Sequence, residues 1–482
     1  MYFDLRSFEF TACEQAPQNL AVVTEDRRLS WQELRSEAQA WVEQARALGL
    51  GKDVPVVIYG HKEAEFFIAL VGALMLGAPF VPVDTIYPQE RLRRIVDIVQ
   101  AGAVYDTATR RFEPRADTMV RLEQRDLAYI IFTSGSTGDP KCVQIGRESV
   151  ALLGQWMQGS FQLGEAPVFM NQAPFSFDLS MYELFGTLAS GGTCVLSARE
   201  QIAGGPQWLN WLARQEITVW VSTPSFAHQQ LVNREFAPAV LPRLSTFLFC
   251  GEPLPAPLAR KLRQRFPAAA LLNTYGPTEA TVATSWVFID DAVLAAHDSL
   301  PVGYAKPDSE LLVCDGEICI VGNHVMRGYL NRPDLNATKL FTYTDGRRGF
   351  RTGDLGQIED DGLLFCRGRM DDQIKLNGYR IELAEIDAAL QGLPGTAGGA
   401  CAVLRRPDGT AVRLIGFVVA DSAQPAGFAL PQELNGWKER LGTRLPPYMV
   451  PSELVACSQL PMSSNHKIDR KKLIDIYAQI PA

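Results

Sequence analysis

A chain of 482 residues is too long for one hydrophobic core and calls for two or three domains. With 47% apolar and 21% charged residues it has the make-up of a soluble globular protein that needs no disulfide or metal staple. A net charge of −8 excludes the broad basic footprint of a nucleic-acid binder, and no apolar run reaches the ~20 residues of a membrane span.

The N-terminus carries an acid at Asp4 and lacks the basic-then-apolar pattern of a secretion signal. A cytoplasmic location without membrane insertion is therefore expected. Nine cysteines (Cys13, Cys142, Cys194, Cys250, Cys314, Cys319, Cys366, Cys401, Cys457) are scattered singly, without Cys-x-x-Cys or nearby His pairs. That spacing fits reduced thiols better than zinc or a disulfide framework.

Amphipathic stretches at 31–48 and 89–99 read as helices. The runs 54–59, 129–132, 219–221 and 246–249 are apolar on both faces and read as buried strands. Alternation of the two predicts an α/β chain with parallel sheets covered by helices. Residues 66–83, interrupted by Gly72, Gly77 and Pro79, predict a buried helix running into a strand. From about residue 300 shorter strands with polar turns, at 316–321 and 363–366, predict a small antiparallel or barrel-like unit. Beyond the charged stretch 368–380 come a helix at 383–390, strands at 400–404 and 414–419, and a helix near 434–441. The expected organisation is a large domain at 1–370 and a compact α+β domain at 371–482.

Four segments carry candidate chemistry. Ile131-Phe-Thr-Ser-Gly-Ser-Thr-Gly-Asp-Pro-Lys141 follows a strand, and its backbone N–H groups can approach phosphate oxygens closely. It lacks the Gly-Lys-Ser/Thr ending of a Walker loop, and by itself such a turn is more often structural. Asn273-Thr-Tyr-Gly-Pro-Thr-Glu-Ala-Thr281 offers a stacking ring at Tyr275, a hydroxyl at Thr278 and a Mg²⁺-binding carboxylate at Glu279. Its plain alternative is a Gly276-Pro277 turn with Thr278 as a helix cap. Phe350-Arg-Thr-Gly-Asp354, followed by Gly368-Arg-Met-Asp371 and Gln373-Ile-Lys-Leu-Asn-Gly-Tyr-Arg-Ile-Glu382, places an Asp in a Gly-bounded turn. Such an Asp can accept both hydroxyls of a ribose, although the segment also reads as a solvated linker. Asn465-His-Lys467, near the C-terminus, could deliver a cation from a separate lid.

In this order and spacing the four segments closely resemble the adenylate-forming (ANL) superfamily, over essentially the whole chain from Leu29-Ser-Trp-Gln-Glu-Leu34 to Asp469-Arg470. Within it the chain is most similar to the D-alanine–carrier protein ligases, through Phe175-Ser-Phe-Asp-Leu-Ser180, Ser222-Thr-Pro-Ser-Phe226 and Phe247-Leu-Phe-Cys-Gly-Glu252. The resemblance implies the ANL fold, with a mobile C-terminal domain. It also implies ATP and Mg²⁺ as cofactors, and a carrier protein acting in trans.

By that resemblance Thr133 and Ser134 begin the phosphate loop and Lys141 closes it. Asn273, Thr274, Tyr275, Gly276, Pro277 and Thr278 line the adenine and α-phosphate, with Glu279 on the metal. Asp354, helped by Arg369, takes the ribose. Lys467 bridges the substrate carboxylate and α-phosphate as the catalytic residue, and Asp371 is the hinge. Asp178 pairs with a substrate α-amine; its alternative is a cap for a helix beginning at Leu179.

Leu179, Tyr182, Ser222, Leu248, Cys250, Thr274, Val282 and Ala283 match the side-chain pocket and add no charge. A small uncharged amino acid is expected, D-alanine first, with L-alanine, glycine, serine and proline open. Tyr182 stands where a methionine is expected. Three other readings remain: a stand-alone adenylation enzyme of a peptide or secondary-metabolite pathway, an acyl- or aryl-CoA synthetase, and a catalytically silent nucleotide-binding protein. Asp178 argues against the second, and the presence of Lys467, Glu279 and Asp354 against the third.

Overall fold

The computed structural model describes every residue except 1, 12–17, 116–118, 136–139, 407–409, 421–430, 458, 463–467 and 481–482. Cys13, the centre of the phosphate loop (Ser136, Thr137, Gly138) and Lys467 with His466 thus lie outside the described residues.

Contacts divide the chain into two compact units. One comprises Met1–Asp84, Val96–Ile131 and Cys142–Met370, the other Thr85–Ile95, Phe132–Lys141 and Asp371–Ala482. Two short segments inside the span 1–370 thus group with the second unit. Their side chains bond to it: Arg91 Nη1 donates to Glu385 at 2.6 Å and Lys141 Nζ to Glu382 at 2.8 Å.

In the first unit a nine-stranded sheet runs in the order Tyr304–Ala305, Ser285–Phe288, Ala270–Tyr275, Thr246–Phe249, Val219–Ser222, Val168–Asn171, Thr193–Leu196, Leu20–Val23, Arg28–Ser30. Its six inner strands, from Ala270–Tyr275 to Leu20–Val23, are parallel. A second sheet of seven strands is parallel at its centre, where Val56–Gly60 pairs with Phe80–Asp84 and Ala103–Asp106.

Helix Ala64–Leu76 is apolar but for Glu65 in its first turn, and every residue in it but Met75 is buried. Such a helix belongs inside a core. Helix Trp31–Ala47 is amphipathic instead, and buries Trp31, Leu34, Ala38, Trp41, Val42 and Ala45. A reciprocal capping box starts it: Glu33 N donates to Ser30 Oγ, and Ser30 N donates to Glu33 at 2.7 Å. These helices share one core with Arg147–Ser160, Met181–Ser190 and both sheets. A second core, with Trp208, Leu212, Leu258 and Leu262, covers the other face of the nine-stranded sheet. Both faces are dry, which is why its strands read as continuous apolar runs.

The small unit expected from about residue 300 is an antiparallel sheet of Ser309–Cys314, Glu317–Gly322, Arg348–Ile358, Leu340–Thr342 and Leu364–Arg369. In the second unit Gln373–Leu376 and Tyr379–Glu382 form a hairpin across Asn377-Gly378, whose φ values are 51° and 85°. Asn-Gly is the dipeptide that such a two-residue turn favours. Helix Leu383–Gln391 then packs on a sheet of Thr396–Arg405, Ala411–Ala420 and Glu453–Cys457 through Ile386, Leu390 and Val418.

Candidate active site

Parallel strands aim their carboxyl ends at one edge of a sheet, where α/β proteins hold ligands. Ser222, Phe249 and Tyr275 are the last residues of three adjacent parallel strands, and Cys250 follows Phe249 directly. Topology alone therefore collects segments far apart in sequence along one sheet edge.

After Tyr275 the chain loops and returns antiparallel as Ser285–Phe288, with Thr284 N donating to Tyr275 O at 2.7 Å. Gly276 is required here, because a Cβ on it would meet the Ala283 Cα at 2.4 Å. Thr281 and Val282 have φ of 55° and 71°. Two β-branched residues in the left-handed region are strained by about 1–3 kcal/mol each. They persist because the surroundings hold them: Thr281 Oγ1 donates to His324 O at 2.6 Å and Lys306 Nζ to Ala283 O at 2.8 Å.

Tyr275 donates its hydroxyl to Asp354 Oδ2 at 2.6 Å, while Arg369 Nη1 donates to Oδ1 at 2.8 Å. Asp354 and Arg369 are direct partners across two antiparallel strands. Burial, with the Asp354 charge beside it, pushes the Tyr275 phenol well above the ordinary tyrosine range. The carboxylate keeps further lone pairs for incoming hydroxyls.

Glu279 is fully buried and accepts from the Tyr329 hydroxyl at 2.6 Å. Among the described residues no three His, Cys, Asp or Glu side chains cluster as a metal cage. A lone carboxylate still suits Mg²⁺, which keeps waters and commonly binds one protein carboxylate together with substrate phosphates.

Asp178 opens a short tight helix, Asp178–Ser180, that leads into Met181–Ser190. The residues at the two N-cap positions, Phe177 and Ser180, make no side-chain capping hydrogen bond, and Asp178 itself is buried. Leu179, Cys250 and Val282 are buried, and Cys250 Sγ lies 3.7 Å from Val282 O. Tyr182 is fully buried; its hydroxyl donates to Thr274 Oγ1 at 3.0 Å, which donates on to Phe249 O at 2.8 Å. Asn273 uses its amide to hold Pro301 O at 2.9 Å. Pro277 and Thr278 lead into the tight helix Thr278–Ala280.

Within the second unit, the Thr133 hydroxyl is buried without a hydrogen-bond partner among the described residues. Ser134 Oγ donates to Arg380 O at 2.9 Å and accepts from Glu382 N at 3.0 Å. Lys141 is paired with Glu382, and Gly135 N donates to Glu385 at 3.3 Å. Ser134 and Lys141, expected to face phosphate, thus meet main-chain groups and a carboxylate of this unit. Asp371 Oδ1 accepts from Gln373 N at 3.3 Å.

Sequence reasoning missed Tyr329, Lys306, His324 and the buried Lys62–Asn171–Glu183 chain. In that chain Lys62 donates to Asn171, whose Nδ2 donates to Glu183 at 2.9 Å. No motif surrounds them, and only the fold buries them, so the sequence carries no signal for their role.

This constellation at the strand ends is that of a nucleotide-binding α/β enzyme. The chain belongs to the AMP-binding enzyme family, whose family model matches residues 9–117 and 98–330. It is 37% identical to the D-alanine–D-alanyl carrier protein ligase of Bacillus cereus (strain ZK / E33L), over 95% of this chain and 97% of the relative. The ligase of the same name from Bacillus thuringiensis (strain Al Hakam) is also 37% identical over the same shares. The fold is shared with the Vibrio cholerae adenylation domain AlmE, solved with glycyl-adenosine-5'-phosphate. That structure matches with a TM-score of 0.81 at 21% identity, over 97% of this chain and 99% of AlmE. PA1221, a nonribosomal peptide synthetase protein with adenylation and carrier domains, matches with a TM-score of 0.79 at 25% identity, over 95% of this chain and 82% of its own.

Proposed function

We propose that this chain joins D-alanine to ATP as D-alanyl adenylate, releasing pyrophosphate, and then passes the alanyl group to the phosphopantetheine thiol of a separate carrier protein. What carries the reading is the 37% identity with the D-alanine ligases across 95% of the chain. The buried, uncharged side chains of Leu179, Cys250 and Val282 agree with it.

In the first step a substrate carboxylate oxygen attacks the α-phosphorus and the bond to pyrophosphate breaks. The nucleophile is already ionised, so no general base is needed, and positioning with charge neutralisation supplies the acceleration. Asp178 pairs with the substrate ammonium, and Leu179, Cys250 and Val282 close around its methyl. Thr133, whose hydroxyl has no partner among the described residues, takes a phosphate oxygen, and Ser134 does so on releasing Arg380 O. Asn273 to Thr278 line the adenine and α-phosphate, and Asp354 with Arg369 receives the ribose.

Lys467 bridges the carboxylate and α-phosphate. Glu279 would hold Mg²⁺, which would offset phosphate charge. In the second step the carrier sulfur attacks the acyl carbon and AMP leaves, with Asp371 as the hinge between the two steps. The reaction belongs in the cytoplasm, where ATP is available and thiols stay reduced.

Tyr182 favours a second reading, the same chemistry on another small amino acid, because a rigid ring replaces the flexible methionine expected there. Incubating the chain with ATP, D-alanine and a phosphopantetheine-bearing carrier tests the proposal. Alanyl thioester on the carrier, detected by mass spectrometry and lost in Asp178→Ala, is expected. Transfer to coenzyme A instead would count against it.

A further inference from the structure

Lys306 is fully buried just after the strand Tyr304–Ala305. Its ammonium donates to Ala283 O at 2.8 Å and lies 5.0 Å from the centre of the Trp156 ring. Its main-chain nitrogen donates to Thr284 O at 2.8 Å. Among the described residues it is in no salt bridge, and burial alone lowers its pKa to about 7. Desolvating a cation without a counter-ion is costly, so packing alone does not explain a lysine here.

These contacts converge on residues directly following the two strained positions. Thr281 at φ 55° and Val282 at φ 71° are both β-branched, so each is strained in that region. His324 grips the same loop from another segment, through Thr281 Oγ1 at 2.6 Å and Thr284 Oγ1 at 3.0 Å. Residues 281–284 are thereby fixed by a lysine and a histidine that occur in none of the recognisable motifs.

We infer that Lys306 is a positioning residue for amino-acid selection. It clamps the Ala283 carbonyl so that Thr281 and Val282 stay in the left-handed form that presents Val282 and Ala283 to the substrate side chain. Lys306 acts through the loop and does not touch the substrate. The inference rests on the proposed adenylation of a small amino acid, with Val282 in its pocket.

The test is amino-acid-dependent pyrophosphate exchange by the full chain, comparing the native protein with Lys306→Met and Thr281→Val. Lys306→Met keeps the stem and removes the donor, and Thr281→Val keeps the branched shape and removes the bond to His324. The amino-acid KM is expected to rise about tenfold in Lys306→Met and about threefold in Thr281→Val, with the ATP KM within about twofold of native. Should Lys306→Met fail to fold, Thr281→Val decides. An unchanged amino-acid KM, or an equal rise in both KM values, would overturn the clamp while leaving the adenylation reading intact. No exchange by the native chain with any amino acid would overturn that reading, and the clamp with it.

Discussion

The Tyr275 hydroxyl sits 2.6 Å from Asp354 Oδ2, tying the end of an inner strand of the nine-stranded sheet to a strand 79 residues further on. Arg369 holds the other oxygen of the same carboxylate. Together they hold one carboxyl group from two sides. Tyr275→Phe removes one charge-assisted bond and is expected to raise the ATP KM about tenfold, with the amino-acid KM near native. Asp354→Asn also removes the charge that Arg369 pairs with, and about a hundredfold loss in kcat/KM for ATP is expected. Steady-state exchange with ATP varied checks both.

Glu279 and Tyr329 form a second such pair, at 2.6 Å. Glu279→Gln keeps the shape and removes the charge proposed for Mg²⁺. Adenylation is expected to fall by about a hundredfold or more and to require a higher Mg²⁺ concentration, read from exchange rates over a metal titration. Tyr329→Phe is expected to fall between the native chain and Glu279→Gln.

Gly276→Ala places a methyl 2.4 Å from the Ala283 Cα, where both sides are backbone. The loop carrying Val282 must move to accommodate it. Loss of about 1–3 kcal/mol in stability and at least about tenfold in kcat/KM for the amino acid is expected, from thermal melts and exchange kinetics.

Much of the fold could be read from sequence because the relevant signals are local. The strand Thr246–Phe249 and the helix Gln89–Val99 appear with the bounds expected. Each is set by a contiguous pattern, one an apolar run and the other an amphipathic face. The pairing of Glu279 with Tyr329, 50 residues apart, leaves no local trace. Nor do the positive φ values of Thr281 and Val282, since β-branched residues signal extended chain. Lys306 looked like any surface lysine, because only the tertiary fold buries it. The grouping of Phe132–Lys141 with the second unit was likewise illegible, as Lys141 finds Glu382 across 241 residues.

The buried Lys62–Asn171–Glu183 chain leads to a pH-dependent stability. Burial pushes the Glu183 carboxyl from 4.5 up to about 8. Between those values the folded chain keeps a proton that the unfolded chain has released, so stability falls as pH rises from about 5 to about 8. Lys62, lowered to about 8 by burial, stays charged through most of that window in both states. Glu183→Gln removes the Glu183 contribution. Its melting temperature minus that of the native chain is expected to grow more positive across the same interval, as calorimetry at stepped pH would show.

The most direct measurement is exchange of labelled pyrophosphate into ATP by the full chain, over a panel of D- and L-amino acids with fatty and aromatic acids alongside. D-Alanine is expected to support the fastest exchange, with L-alanine and larger amino acids at least about tenfold slower. Lys467→Ala is expected to abolish exchange while ATP still binds. Exchange driven by a fatty or aromatic acid, or undiminished exchange in Lys467→Ala, would contradict activation of a small amino acid through that lysine.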